Sequence, residues 1–281
     1  MSVLVALAVF GSALLHGTWN AIAKSIPSPL ASSALMGLVY LVAGGIGAVV
    51  LPLPDAASWP FLVASATAQT AYLLLLTAAY ARTEFSRAYP LTRGVSVLGV
   101  TAAAALLFGE HLSPLQLAGV SIVALSLFAL SVSRGARPEF GSTRLILAVG
   151  ATVTTYSVID GAGVRVAGHP LSYAAWLFLL QGLMIPALCL VLSRDRRGFV
   201  RDLRPLAARG VAGGAISLIA YTIVVWAQSL APLALVSALR ETSVVAAGVI
   251  GWLFFREPLR PWRVIASVVA VGGVALVRLG A

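Results

Sequence analysis

Two arginines, Arg93 and Arg240, stand at equivalent places in two copies of one local sequence pattern. Shifting the second half of the chain back by 147 residues puts Arg240 on Arg93 and Ser243 on Ser96. Both arginines lie about two helical turns inside long apolar runs, where such a charge is costly unless it faces a protein interior or a water-filled cavity. A guanidinium group presents a fork of donors that matches a carboxylate or phosphate. The pair therefore predicts an anchor for an anionic group.

Other roles for the two arginines stay open. Either side chain could snorkel to the membrane interface, and salt bridges could join Arg240 to Glu241 or Arg93 to Glu84. Asp160 and Glu241 are the two acids that lie well inside apolar runs. They are therefore the candidates for proton coupling or for contact with an amine.

Two further groups of polar residues share helical faces. His16, Trp19 and Asn20 are spaced i, i+3, i+4, and Tyr156 and Asp160 are spaced i, i+4, so each group lies on one side of its helix. The two helices occupy corresponding positions in the two halves. The pattern predicts a central cavity lined by these side chains, and the alternative is hydrogen bonding between helices.

Aromatic residues inside the apolar runs complete the predicted site, with core packing as their alternative role. Trp59 and Trp262 lie at the ends of runs and fit interfacial anchors better. The polar companions of the interior aromatics are Gln69, Tyr80 and Gln181, and Trp226 is a further interior aromatic. The predicted substrate-binding residues are His16, Trp19, Asn20, Tyr72, Arg93, Tyr156, Asp160, Trp176, Tyr221, Arg240 and Glu241.

Signatures of enzymes and nucleotide-driven pumps are missing from the sequence. The three histidines, His16, His111 and His169, lie far apart, and no H-E-x-x-H or phosphate-binding G-x-x-x-x-G-K-[ST] motif occurs. Cys189 is the single cysteine, which rules out an intrachain disulfide and a thiolate metal site. The sequence predicts no catalytic residue, no metal and no cofactor, so any work must come from a gradient.

Composition identifies the class of protein that must position these residues. The chain has 281 residues, of which 60% are hydrophobic and 10% are charged, whereas a soluble domain carries roughly 25% charged residues. This balance predicts an integral membrane protein. The net charge of +10 comes mostly from arginines in short loops, which favours anionic lipid headgroups over nucleic acid as the partner.

The chain divides into ten apolar runs, each close to the roughly 20 residues that a membrane-spanning helix needs. The runs lie at about 3–23, 30–51, 59–81, 86–108, 112–132, 143–165, 171–192, 204–229, 233–255 and 260–278. The predicted fold is therefore an all-α membrane protein of ten transmembrane helices.

Five spans in each half force the second half to enter the membrane upside down relative to the first. The sequence thus predicts two inverted repeats around a central cavity, the arrangement that alternating access uses. We assign residues 1–133 to the first repeat, 134–142 to a linker and 143–281 to the second repeat. Because one chain carries both halves, a monomer is predicted.

Loop charges predict the orientation in the membrane. The loops after odd-numbered runs hold 15 Lys and Arg residues, and the other side holds two. Since basic loops favour the cytoplasm, the count places both termini outside it. The segment from Arg194 to Arg204 would then be cytoplasmic.

These motifs resemble the EamA family of the drug/metabolite transporter superfamily. The residues that carry the resemblance are Leu15-His16-Gly17-Thr18-Trp19-Asn20 with Lys24, and Phe108-Gly109-Glu110-His111-Leu112, which is echoed at Phe255-Arg256-Glu257-Pro258-Leu259. The resemblance implies two five-helix halves around a cavity and is strongest to bacterial amino-acid exporters. It also implies cytoplasmic termini, opposite to the loop charges.

The sequence as a whole predicts a secondary transporter in the bacterial inner membrane. We expect it to export amino acids, aromatic or neutral, with a carboxylate facing Arg93 or Arg240 and an amine facing Asp160 or Glu241. The alternatives are a carrier of drugs, nucleotide sugars or other metabolites with the same fold, a membrane-embedded enzyme of lipid metabolism, and a scaffold that does not transport.

Overall fold

The computed structural model describes residues 1–80, 85–131, 140–243 and 261–280, and within these ranges the chain is helical and contains no strand. The helices are α1 Val3–Lys24, α2 Pro29–Val50, α3 Trp59–Tyr80, α4 Phe85–Phe108, α5 Pro114–Ser131, α6 Phe140–Arg165, α7 Pro170–Leu192, α8 Arg196–Leu203, α9 Ala207–Leu230, α10 Leu233–Arg240 and α11 Pro261–Leu279.

Helix starts follow local sequence signals. Ser28 accepts a hydrogen bond from the Ala31 backbone nitrogen at 3.3 Å, and Pro29 occupies the first position of α2. At the start of α7, His169 caps the helix and Pro170 follows. A polar cap followed by proline satisfies the free N–H groups of a first turn and fixes its φ angle. These pairs set where α2 and α7 enter the bundle.

Eight helices in the described part of the chain are long and apolar enough to cross a membrane. They match the first eight predicted runs within a few residues, with α8 added at the start of the eighth. The protein is thus a multi-pass membrane protein whose described part is helical. The tenth predicted run coincides with α11 within one residue. Three predicted features lie outside the described residues: the second half of the ninth run, the motif at 255–259 and most of the 134–142 linker.

The ninth predicted run, at 233–255, departs from prediction within its described part. It is helical to Arg240 and then makes a turn at Glu241 and Thr242, with backbone hydrogen bonds from Glu241 to Ala238 and from Thr242 to Leu239, each 3.2 Å. These bonds span three residues instead of four, which tightens and ends the last turn. Arg240 therefore lies at a helix C-terminus, where the helix dipole favours a cation.

The main helix contacts join the first half of the chain to the second. α2 packs on α7, α5 on α11, α3 on α6 and α1 on α9. Glycine permits the closest approach, because a Cβ on Gly44 would meet the backbone of Leu179, and one on Gly182 would meet the backbone of Leu41. The α2–α7 crossing is thus made backbone to backbone, as small residues allow in membranes.

Connections divide the bundle into two ends. We call the basic end the one that holds the turn at residues 25–28 and the arginine-rich segment 193–206. Arg209, at the start of α9, donates a 3.3 Å hydrogen bond there to the Ser25 carbonyl oxygen. The far end holds residues 51–58, 109–113, 166–169 and 231–232. There the Asp55 backbone nitrogen bonds to the Ala167 carbonyl oxygen at 3.2 Å.

Candidate functional site

A cavity of about 410 Å³ lies between the two halves and extends from the middle of the bundle to the turn at the basic end, where Ile26 and Pro27 edge it. Both halves contribute to its lining. Seven of the predicted site residues line it: His16, Trp19, Asn20, Tyr72, Arg93, Tyr156 and Tyr221. The other four, Asp160, Trp176, Arg240 and Glu241, lie outside this lining.

The polar face of α1 borders the cavity. His16 and Trp19 make an edge-to-face contact with ring centroids 4.9 Å apart. The Asn20 side chain donates to the His16 carbonyl oxygen one turn earlier, at 2.7 Å. The spacing of these residues does bring them to one cavity wall.

Aromatic rings form a second wall of the cavity, in a chain that runs across five helices. The centroid of Tyr156 lies 5.8 Å from that of Tyr72 and 6.3 Å from that of Tyr221. Phe178 lies 6.3 Å from Tyr221 and 5.0 Å from Tyr40. Edge-to-face pairs at these distances are favourable. The wall can therefore hold an apolar or aromatic body.

Tyr40 and Phe178 also line the cavity, and sequence reasoning missed both. The Tyr40 hydroxyl pairs with the Ser217 hydroxyl at 2.8 Å across α2 and α9. A single tyrosine or phenylalanine in an apolar run carries no periodic signal. The one available hint was the polar tip of Tyr40 inside such a run.

Arg93 forms a salt bridge with Glu241, with 2.9 Å between Nε and Oε2. The two side chains are 6% and 2% exposed, so the pair is buried between the halves. Arg93 was expected to pair with Glu84, which lies outside the described residues, or to reach the cavity. It lines the cavity and pairs with Glu241, the acid that the sequence had suggested as a partner of Arg240.

Arg240 lies next to this pair but makes different contacts. Its guanidinium carbon is 5.8 Å from the centroid of the Tyr221 ring, a distance at which a cation is attracted to the ring face. Among the described residues, no group accepts a hydrogen bond from its Nη2 atom. Both Arg93 and Arg240 are only 5% exposed, so neither reaches past the protein as a snorkelling side chain would.

Asp160 lies behind the aromatic wall and is fully buried. Its carboxylate accepts hydrogen bonds from the hydroxyl of Tyr173 at 2.9 Å, the hydroxyl of Tyr221 at 2.5 Å and the side-chain amide of Gln69 at 3.2 Å. Because Tyr221 and Gln69 line the cavity, Asp160 is separated from it by one layer of side chains.

Trp176 packs against the buried cluster outside the cavity lining. Its ring contacts that of Trp59 edge to face at 4.8 Å, so Trp59 belongs to an aromatic pair inside the bundle. Trp226 packs against the same buried cluster. In the described ranges, no group of three His, Cys, Asp or Glu side chains is placed to hold a metal ion.

A second polar cluster, which we call the clasp, joins the halves at the far end. Glu110 accepts hydrogen bonds from the backbone nitrogens of Leu233 at 2.9 Å and Ala234 at 3.3 Å. Arg165 donates to Glu110 at 3.0 Å and to the carbonyl oxygen of Ala231 at 3.3 Å. An acid at the N-terminus of α10 satisfies free N–H groups and complements the helix dipole.

The turn after α4 aims Glu110 at the clasp. Gly109 adopts a φ of +62°, and the Glu110 backbone nitrogen bonds back to the Ala104 carbonyl oxygen at 3.1 Å. A left-handed glycine with this bond is a common helix ending. The motif Phe108-Gly109-Glu110 therefore ends α4 and delivers its carboxylate to the other half of the chain.

The second half of the chain is similar in sequence to a transporter family. Residues 143–279 match the sequence profile of the EamA-like transporter family, which supports the family prediction. No curated protein matches the chain. A solved structure titled "Crystal structure of protein" is similar with a TM-score of 0.75 and 20% identity over 99% of each chain. At that identity the likeness shows the fold alone.

Proposed function

We propose that this protein is a secondary transporter that exports amino acids, aromatic or neutral, across the bacterial inner membrane. The observation that carries the proposal is the cavity between the two halves, which extends from the middle of the bundle to the basic end, while the clasp joins the halves at the far end. A solute site reachable from one side only is what alternating access requires at each stage of its cycle. The EamA match over residues 143–279 supports the same conclusion.

A monomer would build this cavity from two inverted five-helix repeats. The repeats are residues 1–133 and 143–281, and the segment 134–142 joins them. The helix contacts support the repeat. Exchanging the halves turns the α1–α9 pair into the α6–α3 pair, and it leaves the α2–α7 and α5–α11 pairs unchanged. Such a pattern is expected when two copies of one fold are related by a twofold axis.

An aromatic amino acid fits the chemistry of the lining. The aromatic wall would hold its side chain, and the carboxylate would lie toward the arginines at the base of the cavity. Glu241 already pairs with Arg93, and Asp160 lies behind the wall. The amine would therefore meet the neutral oxygens of the lining, such as the hydroxyls of Tyr156 and Ser217, and feel the two acids at longer range.

The basic end would face the cytoplasm, since arginines in loops favour that side. Six arginines lie in or beside the segment 193–206, and α8 presents three of them on an exposed helix. The described conformation would then be the inward-open one. A reporter that is active only in the periplasm should be silent when fused within this segment, and strong activity would reverse the orientation.

Transport by the purified protein tests the proposal. Proteoliposomes would be offered labelled L-phenylalanine, L-leucine and a panel of nucleotide sugars, with empty liposomes as the control. We expect accumulation of the amino acids by exchange against an internal pool of the same amino acid. Transport of a nucleotide sugar alone would replace the proposed substrate class, and no transport of any compound would contradict the proposal.

A further inference from the structure

Two acids are buried in the described part of the membrane-spanning core, and they differ in their partners. Glu241 has a cation beside it, because Arg93 lies 2.9 Å away. Asp160 has none in hydrogen-bond contact within the described ranges, and its donors are the hydroxyls of tyrosine and serine side chains and the amide of Gln69. An ionised carboxylate held only by neutral groups is costly in a membrane interior. Asp160 is therefore the acid whose charge depends on its surroundings.

The contacts of Asp160 connect it to the cavity. Tyr221 and Gln69 each bond to its carboxylate and also line the cavity. A tyrosine hydroxyl both donates and accepts hydrogen bonds, so a proton in the cavity can reach Asp160 through Tyr221. Tyr173 lies on the opposite side of the carboxylate and is fully buried.

Arg240 is the charged group nearest to this network. It contacts the face of the Tyr221 ring whose hydroxyl bonds to Asp160, and it interacts electrostatically with the Asp160 carboxylate. The titratable, charged and amide groups that face Asp160 are thus Gln69 from α3, Tyr156 from its own helix, Tyr173 from α7, Tyr221 from α9 and Arg240 from α10.

Charge balance links a proton on Asp160 to a carboxylate in the cavity. Arg93 and Glu241 neutralise each other, and the ionised Asp160 offsets Arg240. When Asp160 takes up a proton, two buried arginines, Arg93 and Arg240, share one ionised buried acid, Glu241, among the described residues, and a carboxylate on the solute can restore the balance. By thermodynamic reciprocity, a bound carboxylate then favours the proton on Asp160 to the same extent.

We propose that Asp160 is a proton-binding site and that a proton there and the carboxylate of the solute bind cooperatively. The inference rests on the proposed function, since it assumes a solute with a carboxylate. Proton and solute would then cross the membrane in the same direction. Because the proton gradient across the inner membrane points inward, export would occur only when the outward gradient of the solute exceeds the opposing proton gradient.

Infrared spectroscopy tests the proton site without any solute. The purified protein in lipid nanodiscs would be titrated with acid and base, and the carbonyl band of a buried, protonated carboxyl group followed. We expect a band that appears with acid in the parent, is absent from Asp160→Asn and is kept in Glu241→Gln, the matched variant of the paired acid. A band that survives in Asp160→Asn, or that vanishes only in Glu241→Gln, overturns the proposal. If Asp160→Asn fails to fold, Asp160→Glu should shift the band.

Binding of L-phenylalanine to the same samples tests the cooperation. In the parent, Kd should rise with pH, by up to about tenfold per pH unit for one linked proton. In Asp160→Asn, Kd should stay near its low-pH value at every pH. A Kd that falls with pH in the parent, or a slope unchanged in Asp160→Asn, overturns the cooperation. If L-phenylalanine does not bind at any pH, the amino-acid proposal fails, and the infrared result still decides whether Asp160 binds the proton.

Discussion

Two ion pairs cross between the halves within the described part of the chain, and their surroundings are opposite in kind. Arg93, which lines the cavity, meets Glu241 through a bond of 2.9 Å, and both side chains are nearly inaccessible. Arg165 and Glu110 meet at the far end with 31% and 12% of their side chains exposed, and backbone groups of the α9–α10 turn surround them. We expect the buried pair to control stability, and the clasp to control which end is open.

The largest effect is expected from leaving a buried charge alone. Arg93→Leu would strand Glu241 in the core, and removing one partner of a buried pair costs about 3–5 kcal/mol. The thermal unfolding midpoint in lipid nanodiscs should fall clearly, and transport should be lost. The double variant Arg93→Leu with Glu241→Leu should recover much of the stability and none of the transport. An unchanged midpoint in the single variant would mean that Glu241 is not ionised.

Arg240 should behave differently from Arg93, although the two occupy equivalent places in the sequence. Within the described residues Arg240 contacts the Tyr221 ring and forms no salt bridge, so Arg240→Leu leaves no directly paired carboxylate behind, and Asp160, the acid that Arg240 offsets, can take up a proton. We expect stability near that of the parent and a rise in KM for the amino acid of about tenfold or more, the effect of losing a charged hydrogen bond. Arg240→Lys should recover part of the loss, because an ammonium group lacks the guanidinium fork. Full activity in Arg240→Leu would show that Arg240 does not take part in substrate binding.

The clasp can be tested by its effect on accessibility. In a Cys189→Ala background, Val9→Cys reports on the packed far end, where Val9 is fully buried, and Ser33→Cys reports on the cavity. Adding Arg165→Gln should speed labelling of Val9→Cys by a water-soluble maleimide about fivefold or more and slow labelling of Ser33→Cys. Opposite changes indicate a shift between states. Faster labelling of both would indicate local unfolding, and no change would show that the clasp does not hold the far end.

The smallest effect is expected from an exposed pair at the basic end. Arg201 and Asp202 lie 3.4 Å apart with 82% and 70% of their side chains exposed, and such pairs contribute little to stability. Arg201→Gln should leave the unfolding midpoint and both labelling rates unchanged, and it is the matched control for Arg165→Gln. A changed labelling rate of Val9→Cys or Ser33→Cys would show that the arginine-rich segment also affects which end is open.

Local patterns in the sequence predicted the parts of the site that depend on one helix at a time. The i, i+3, i+4 spacing of His16, Trp19 and Asn20 places them together on one wall, and apolar length locates eight of the spans. The roles of these residues in binding stay predictions. The inverted repeat also stays a prediction, which the helix contacts support.

Features that depend on a partner far along the chain were out of reach. Nothing near Glu110 in the sequence indicates that it caps a helix more than 120 residues away. The pairing of Arg93 with Glu241 depends on how the halves meet. The turn after Arg240 lacks the glycine or proline that usually announces a helix end. In each case the local structure depends on tertiary contacts, and these cannot be read from a single sequence without its fold.

The glycine contacts between α2 and α7 have a mechanical consequence. Because the Gly44 and Gly182 positions bring the two backbones into direct contact, these helices cannot slide past each other without first separating. They can still rotate about the point where they touch. If the ends of the bundle open in turn, we expect α2 and α7 to serve as the pivot, with the smallest displacement at Gly44 and Gly182 and the largest at the two ends. Replacing either glycine with a larger residue would move the pivot itself.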